Sequence, residues 1–207
     1  MSNFLFFKLL FKHFIKSKKI NFYEKRKMIS GEMYNPSTDI NLFKERIRCK
    51  NLCHNFNSLN PKNLNERIKI LKELIGKCPS VFFIEQPFIC DYGYNIEIGE
   101  NFYSNHNLVI LDPAKVIFGN NVFIGPNCGF YTAEHPLDYQ TRNKELEYAK
   151  PIIVGNNVWF GGSVTVIGGI SIGDNVVIGA GSVVTKDIPS NTVVAGTPAK
   201  IIKNLEP

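Results

Sequence analysis

Histidine is the side chain best suited to exchange a proton near neutral pH, and this chain has four: His13, His54, His106 and His135. His13 lies in a basic N-terminal stretch and His54 in a segment of helical pattern, so both are poor candidates for proton transfer. His106 falls in Tyr103-Ser-Asn-His-Asn107 and reads as a structural position. His135 sits in Thr132-Ala-Glu-His-Pro136, where a polar stretch interrupts an otherwise regular repeat. Loops on a rigid scaffold are where functional residues concentrate, so His135 is the candidate among the four for proton transfer, although a lone loop histidine is more often solvated and idle. Its neighbour Glu134 reads as an exposed loop carboxylate. Cys49, Cys53 and His54 invite a metal reading, but no second ligand pair follows. The five cysteines are odd in number and include no C-x-x-C pair, which points to free thiols in a reducing cytoplasm and to no metal.

The scaffold that must hold His135 is visible in a period of six. Val154, Phe160, Val166, Ile172, Ile178 and Val184 recur at that spacing, and Val158, Val164, Ile170, Val176, Ser182 and Ile188 form a companion series. Phe118, Ile124 and Phe130 share the first register, while Ile98 and Ile110 keep the period with a two-residue displacement around Asp112-Pro113. Hexapeptide periodicity predicts a parallel β-helix, each repeat giving a short strand, a bend and one inward apolar side chain. Gly and Asn fill bends that need positive φ. Between Thr132 and Lys150 the period fails, which predicts a loop thrown out from the solenoid.

Upstream the pattern changes. Residues 24–80 hold helices predicted near Ile40–Phe56 and Asn63–Ile75, the second set between Pro61 and Gly76. Residues 1–23 form a basic extension in which Lys8, Lys12 and Lys16 recur among Phe and Leu. Residues 1–20 fit either a peripheral membrane contact or a helix packed on its own protein. The longest apolar run there, Phe4–Phe7, is too short for a span or a secretory signal. The net charge of +6 is not paired with an aromatic-basic module, so nucleic acid is not expected. The organisation is thus extension 1–23, helical module 24–80 and β-helix 81–207.

The runs Ile152-Ile-Val-Gly-Asn-Asn-Val-Trp-Phe-Gly161, Ile172-Gly-Asp-Asn-Val-Val-Ile-Gly-Ala-Gly-Ser-Val-Val-Thr-Lys-Asp187 and Ala195-Gly-Thr-Pro-Ala199 resemble the bacterial maltose and galactoside O-acetyltransferases. So do Lys27-Met-Ile-Ser-Gly-Glu-Met-Tyr34, Arg46-Ile-Arg48 and Cys90-Asp-Tyr-Gly-Tyr-Asn95, and the likeness spans residues 24–205. The resemblance implies an all-β solenoid, a left-handed parallel β-helix with an N-terminal helical module. It also implies a homotrimer with active sites between subunits, acetyl-CoA as co-substrate, and transfer of the acetyl group to a sugar or glycoside hydroxyl in a ternary complex.

By the same resemblance His135 is the catalytic histidine. Asn105, Asp91, Asp39, Arg46 and Tyr103 are expected on the acceptor side, with Tyr103 as a stacking wall. Trp159, Gly162, Ala180, Thr185, Lys186, Lys200 and Lys203 are expected on the coenzyme side. The N–H of Gly162 is the candidate oxyanion donor, and the two C-terminal lysines suit phosphates. Pro113 stands where related enzymes have a further aspartate, which leaves the local acceptor contact open. Three rival readings are an acetyltransferase for serine or a xenobiotic, a non-catalytic trimeric β-helix, and membrane-associated modification of a lipid-linked or polymeric glycan, the last suggested only by residues 1–20. A β-helix carbonic anhydrase is opposed by the histidine count, since only His106 and His135 lie in the solenoid.

Overall fold

The structure is a computed structural model that describes residues 23–206. The basic segment 1–20, expected to meet a membrane or pack on the protein, lies outside the described residues. Among those that are described, no helix is long and apolar enough to cross a membrane.

Three helices open the fold: α1 (Glu24–Ser30), α2 (Ile40–Ser58) and α3 (Leu64–Leu74). α1 ends at Gly31, whose φ of 74° closes the helix in the left-handed region. α2 starts at Asp39, whose Oδ1 accepts from the backbone N–H of Asn41 at 2.8 Å and Leu42 at 3.4 Å. Leu42, Cys49, Cys53 and Phe56 share one buried face of α2 at helical spacing. That face meets the start of the solenoid, where Asn57 clamps Phe88 by donating to its carbonyl and accepting from its N–H, each at 2.9 Å.

The rest of the chain winds into a parallel β-solenoid of about six turns with three faces. Face I comprises β1 (Phe82–Ile84), β4 (Phe102–Ser104), β7 (Phe123–Ile124), β12 (Trp159–Phe160), β15 (Val176–Ile178), β17 (Thr192–Ala195) and the antiparallel β18 (Lys200–Asn204). Face II comprises β2 (Phe88–Cys90), β5 (Leu108–Leu111), β8 (Gly129–Tyr131), β13 (Thr165–Ile167) and β16 (Val183–Val184). Face III comprises β3 (Ile96–Glu97), β6 (Val116–Phe118), β11 (Ile152–Val154) and β14 (Ser171–Ile172).

Both six-residue series point inward: Val154, Phe160, Val166 and Ile178 are buried, and so are Val158, Val164 and Val176. The expectation of one inward side chain per repeat is therefore corrected to two, because strand side chains alternate and each short segment turns two of them to the axis. Inside the coil Phe102, Phe118, Phe130 and Phe160 meet in tilted and edge-to-face pairs at centroid spacings of 5.3, 5.0 and 5.1 Å. Such pairs add about 0.5–1.5 kcal/mol each beyond burial.

The III/I corners carry Asn101, Asn121, Asn157, Asn175 and Asn191, all at φ between 53° and 59°. Asn tolerates that region, and here its amide also bonds along the stack: Asn101 donates to Asn121 and Asn121 to Asn157, each at 2.9 Å. A turn signal in sequence thus becomes an intercoil ladder.

Candidate active site

The interruption after β8 is an arm rather than a structureless loop. β9 (Ala133–Glu134) pairs antiparallel with β10 (Tyr148–Ala149), and between them lies the short helix α4 (Tyr139–Arg142), capped by Asp138. The arm leaves the II/III edge and carries His135, which is exposed. His135 Nδ1 lies 3.1 Å from the Leu146 carbonyl. A carbonyl only accepts, so Nδ1 holds the proton and Nε2 keeps a free lone pair.

What fixes Leu146 is its neighbour. The Glu147 N–H donates to the Tyr34 carbonyl and the Tyr34 N–H donates to the Glu147 carbonyl, both at 2.9 Å. Tyr34 OH also donates to Glu147 Oε1. The helical module therefore grips the arm at the residue next to the one that orients His135. Burial raises the Glu147 carboxyl above its usual range, opposed by the Tyr34 hydrogen bond and by His135 and Arg46.

Below the arm, Asp91, Tyr92 and Gly93 turn sharply at the same edge. Their N–H groups all donate to the Asp112 carboxylate, at 3.0, 2.9 and 2.7 Å. Asp112 is fully buried, and its carboxyl is pushed up to about 7 by that burial, against the three donors. This answers the question left by Pro113: Asp112 builds the turn and does not face an acceptor. Asp91 is half-buried, raised by desolvation and partly offset by Arg46 and Lys50. Arg46 donates to Tyr92 OH at 3.2 Å and to the Pro36 carbonyl at 3.0 Å.

The structure corrects one acceptor-side expectation. Asp39 is 1 % exposed, and its carboxylate is taken up by the α2 N-terminus and by the Lys25 N–H at 3.2 Å. It holds the module together and presents no oxygen to a sugar.

The remaining expected residues divide between two edges. Thr185 and Lys186 follow β16 on the II/III edge and are exposed there. Asn105, Gly162 and Ala180 instead stack at the I/II edge, where coils join through Asn105 N–H to Ile124 O and Gly161 N–H to Ile178 O. Asn105 also caps itself, its Oδ1 accepting from the His106 N–H at 2.7 Å. The Gly162 N–H makes no hydrogen bond among the described residues, while its carbonyl accepts from Gly181 at 2.9 Å. Trp159 and Tyr103 stand on the outer surface of face I, in register with Phe123. Trp159 is 56 % exposed. Lys200 and Lys203 lie exposed on β18, at the far margin of the same face.

One strand of face II separates His135's edge from Asn105's, a path of roughly 20 Å at ~3.3 Å per residue. Within one chain the two residues thus belong to different edges.

Known proteins share this architecture. Residues 27–79 match the family model of the maltose acetyltransferase hexapeptide capping motif, and residues 151–186 match the hexapeptide repeat of succinyl-transferase. A putative acetyltransferase of Saccharomyces cerevisiae is 52 % identical over 178 residues, covering 86 % of this chain and 91 % of that protein. The galactoside O-acetyltransferase of Escherichia coli K12 is 43 % identical over 161 residues, covering 78 % and 79 %. Among solved structures, a maltose O-acetyltransferase from Clostridium difficile 630 superposes with a TM-score of 0.87 at 50 % identity, over 89 % of this chain and 98 % of that one.

The chain belongs to the maltose/galactoside O-acetyltransferase family.

A galactoside acetyltransferase solved in complex with coenzyme A has a TM-score of 0.86 at 39 % identity, over 90 % and 92 % of the two chains. The solenoid is left-handed, as in its neighbours. As a member of the family, the chain is an acetyltransferase. Three residues that shape its candidate site escaped sequence reasoning: Tyr34, Asp112 and Glu147. Tyr34 lies inside the quoted Lys27–Tyr34 run, yet nothing in that run announces its partner. Asp112 marked the displaced repeat, and a buried acid at such a kink was the one signal available.

Proposed function

We propose that this acetyltransferase uses acetyl-CoA to acetylate a hydroxyl of a sugar or glycoside, with His135 as general base, in a site completed by a neighbouring copy of the chain. The observation that carries the reading is the His135–Leu146 hydrogen bond, because it sets the tautomer a base requires. The acceptor hydroxyl attacks the thioester carbonyl as Nε2 takes its proton. Negative charge developing on the carbonyl oxygen is met by the free Gly162 N–H. Collapse of the tetrahedral intermediate breaks the C–S bond, and the imidazolium returns the proton to the departing thiolate. Asp91 and Arg46, on the same edge, are available to acceptor hydroxyls.

The separation of the two edges supports the second copy. Tyr103, Phe123 and Trp159 form an aromatic stripe on the outer surface of face I, and a stripe of that kind favours burial against another subunit. A closed ring of three such contacts would set one chain's II/III edge against the next chain's I/II edge.

His135→Ala should lower turnover by about 10²–10⁴-fold while leaving acetyl-CoA binding nearly unchanged. Unchanged turnover would refute the base assignment. Asn105→Ala should also be impaired. Unfolding and refolding the two variants together should restore activity toward roughly a quarter of wild type, since random mixing rebuilds intact sites from two different chains. No recovery in verified mixed oligomers would place both residues in a site of one chain. A panel of sugars, amino acids and antibiotics assayed by thiol release separates the sugar reading from other acceptors.

A further inference from the structure

The proposed chemistry leaves unused a side-chain cluster at the joint between the helical module and the solenoid. Cys49 and Cys53, one helical turn apart on α2, face Cys90 at the end of β2. Cys90 Sγ lies 3.5 Å from Cys49 Sγ and 3.8 Å from Cys53 Sγ. All three sulfurs fall within 4.8 Å of one another. The side chains are 1 %, 5 % and 2 % exposed for Cys49, Cys53 and Cys90. Three sulfurs bound at ~2.3 Å to one ion, at tetrahedral angles, stand roughly 3.8 Å apart, so the cluster is already spaced for a shared centre.

We propose that Cys49, Cys53 and Cys90 form a three-thiolate site for a trivalent thiophilic metalloid of the arsenite class, which on binding pins α2 to β2.

Ligand count and charge select that class over zinc. Structural zinc takes four ligands, and the described residues supply three here. His54, next to Cys53, is exposed and turned from the buried face of α2. Three thiolates and a divalent ion would leave a net negative charge in the core. A trivalent centre leaves none. The step balances without an oxidant: three S–H and three As–O bonds of arsenous acid break, three As–S bonds form, and three waters leave. Cys128, buried elsewhere, and Cys78 stay outside the cluster.

The test incubates reduced full-length protein overnight with arsenite alone, and in parallel with zinc or cadmium alone, followed by native mass spectrometry and thermal unfolding. The expected result is a gain of one arsenic less three protons per chain, with a melting midpoint raised by about 5–10 °C at a hundredfold excess over Kd. Cys53→Ser and Cys90→Ser should each abolish the mass gain, and Cys128→Ser should keep it. Because Cys90→Ser could fail to fold, Cys53→Ser, at the least buried member, is the deciding variant. No arsenic uptake by wild type, or full uptake by Cys53→Ser, overturns the proposal. So does zinc or cadmium bound one per chain where arsenite is refused.

Discussion

The II/III and I/II edges of this solenoid are made of the same coils and do opposite work. At the II/III edge the corners bristle with ionisable side chains, Asp91 and Asp112 among them, and the helical module closes over them with Arg46 and Tyr34. At the I/II edge the chain turns at Asn105-His106 and then at Gly125-Pro126, Gly161-Gly162 and Ala180-Gly181, and at these last three the coils stack backbone on backbone. A Cβ added at Gly125 would lie 2.6 Å from the Gly162 nitrogen, so close stacking itself demands glycine there. One edge supplies side-chain chemistry and needs a cover to orient it. The other supplies backbone N–H groups whose positions the stack already fixes. The proposed acyl transfer draws on both.

The contrast can be broken from either side. The largest effect is expected at the stacked edge: Gly125→Ala should cost about 1–3 kcal/mol by overpacking and also lower turnover by displacing Gly162. Denaturant melts and steady-state rates on the same protein would show both losses, and a variant as stable and active as wild type would deny that stacking fixes the donor. Next comes the covered edge, where Glu147→Ala should lower turnover about tenfold, because the arm that carries Leu146 and His135 loses its side-chain bond to Tyr34. Steady-state rates as high as wild type would show that the backbone pair alone aims the arm.

Asp112 offers a pH handle on the same edge. Its folded-state pKa of about 7 lies above the unfolded value, so the native state holds a proton that the unfolded state releases. This contribution to stability therefore declines as pH rises from about 4 to about 7. Asp112→Asn should flatten that decline in melting midpoints taken across the interval; an identical slope would contradict it. Smallest of all, Gly162→Ala should change stability by less than about 0.5 kcal/mol, since its added Cβ meets Pro126 at an ordinary 3.4 Å. Gly125 and Gly162 are near neighbours, yet a methyl group should separate them sharply.

The coils were legible because inward residues must recur wherever the axis does, and Val154, Phe160 and Val166 obey that rule without exception. The arm was legible only as a gap. His135 could be singled out there because it is a titratable group at a break in a ladder. Glu147 could not, because its significance comes from Tyr34, and no local pattern links a tyrosine after a short helix to a glutamate in a later insertion. Asp39 was misread for a different reason: an aspartate just before a helical run is an N-cap signal, and that explanation needed weighing against sugar binding. Lys186 and Lys200 were grouped by an expected ligand, whereas the coil delivers them to different edges of one chain.

The Tyr34–Glu147 link joins positions 113 residues apart. A chain emerging from the ribosome completes its helical module, then two full coils, before Glu147 exists to be held. Contacts of such long range close late, because the loop they seal must first be ordered by everything between. The hexapeptide coils can zip up from local neighbours and still leave His135 unaimed. Native secondary structure should therefore appear before activity does on refolding, and the interval between them is the time the arm takes to find its tyrosine.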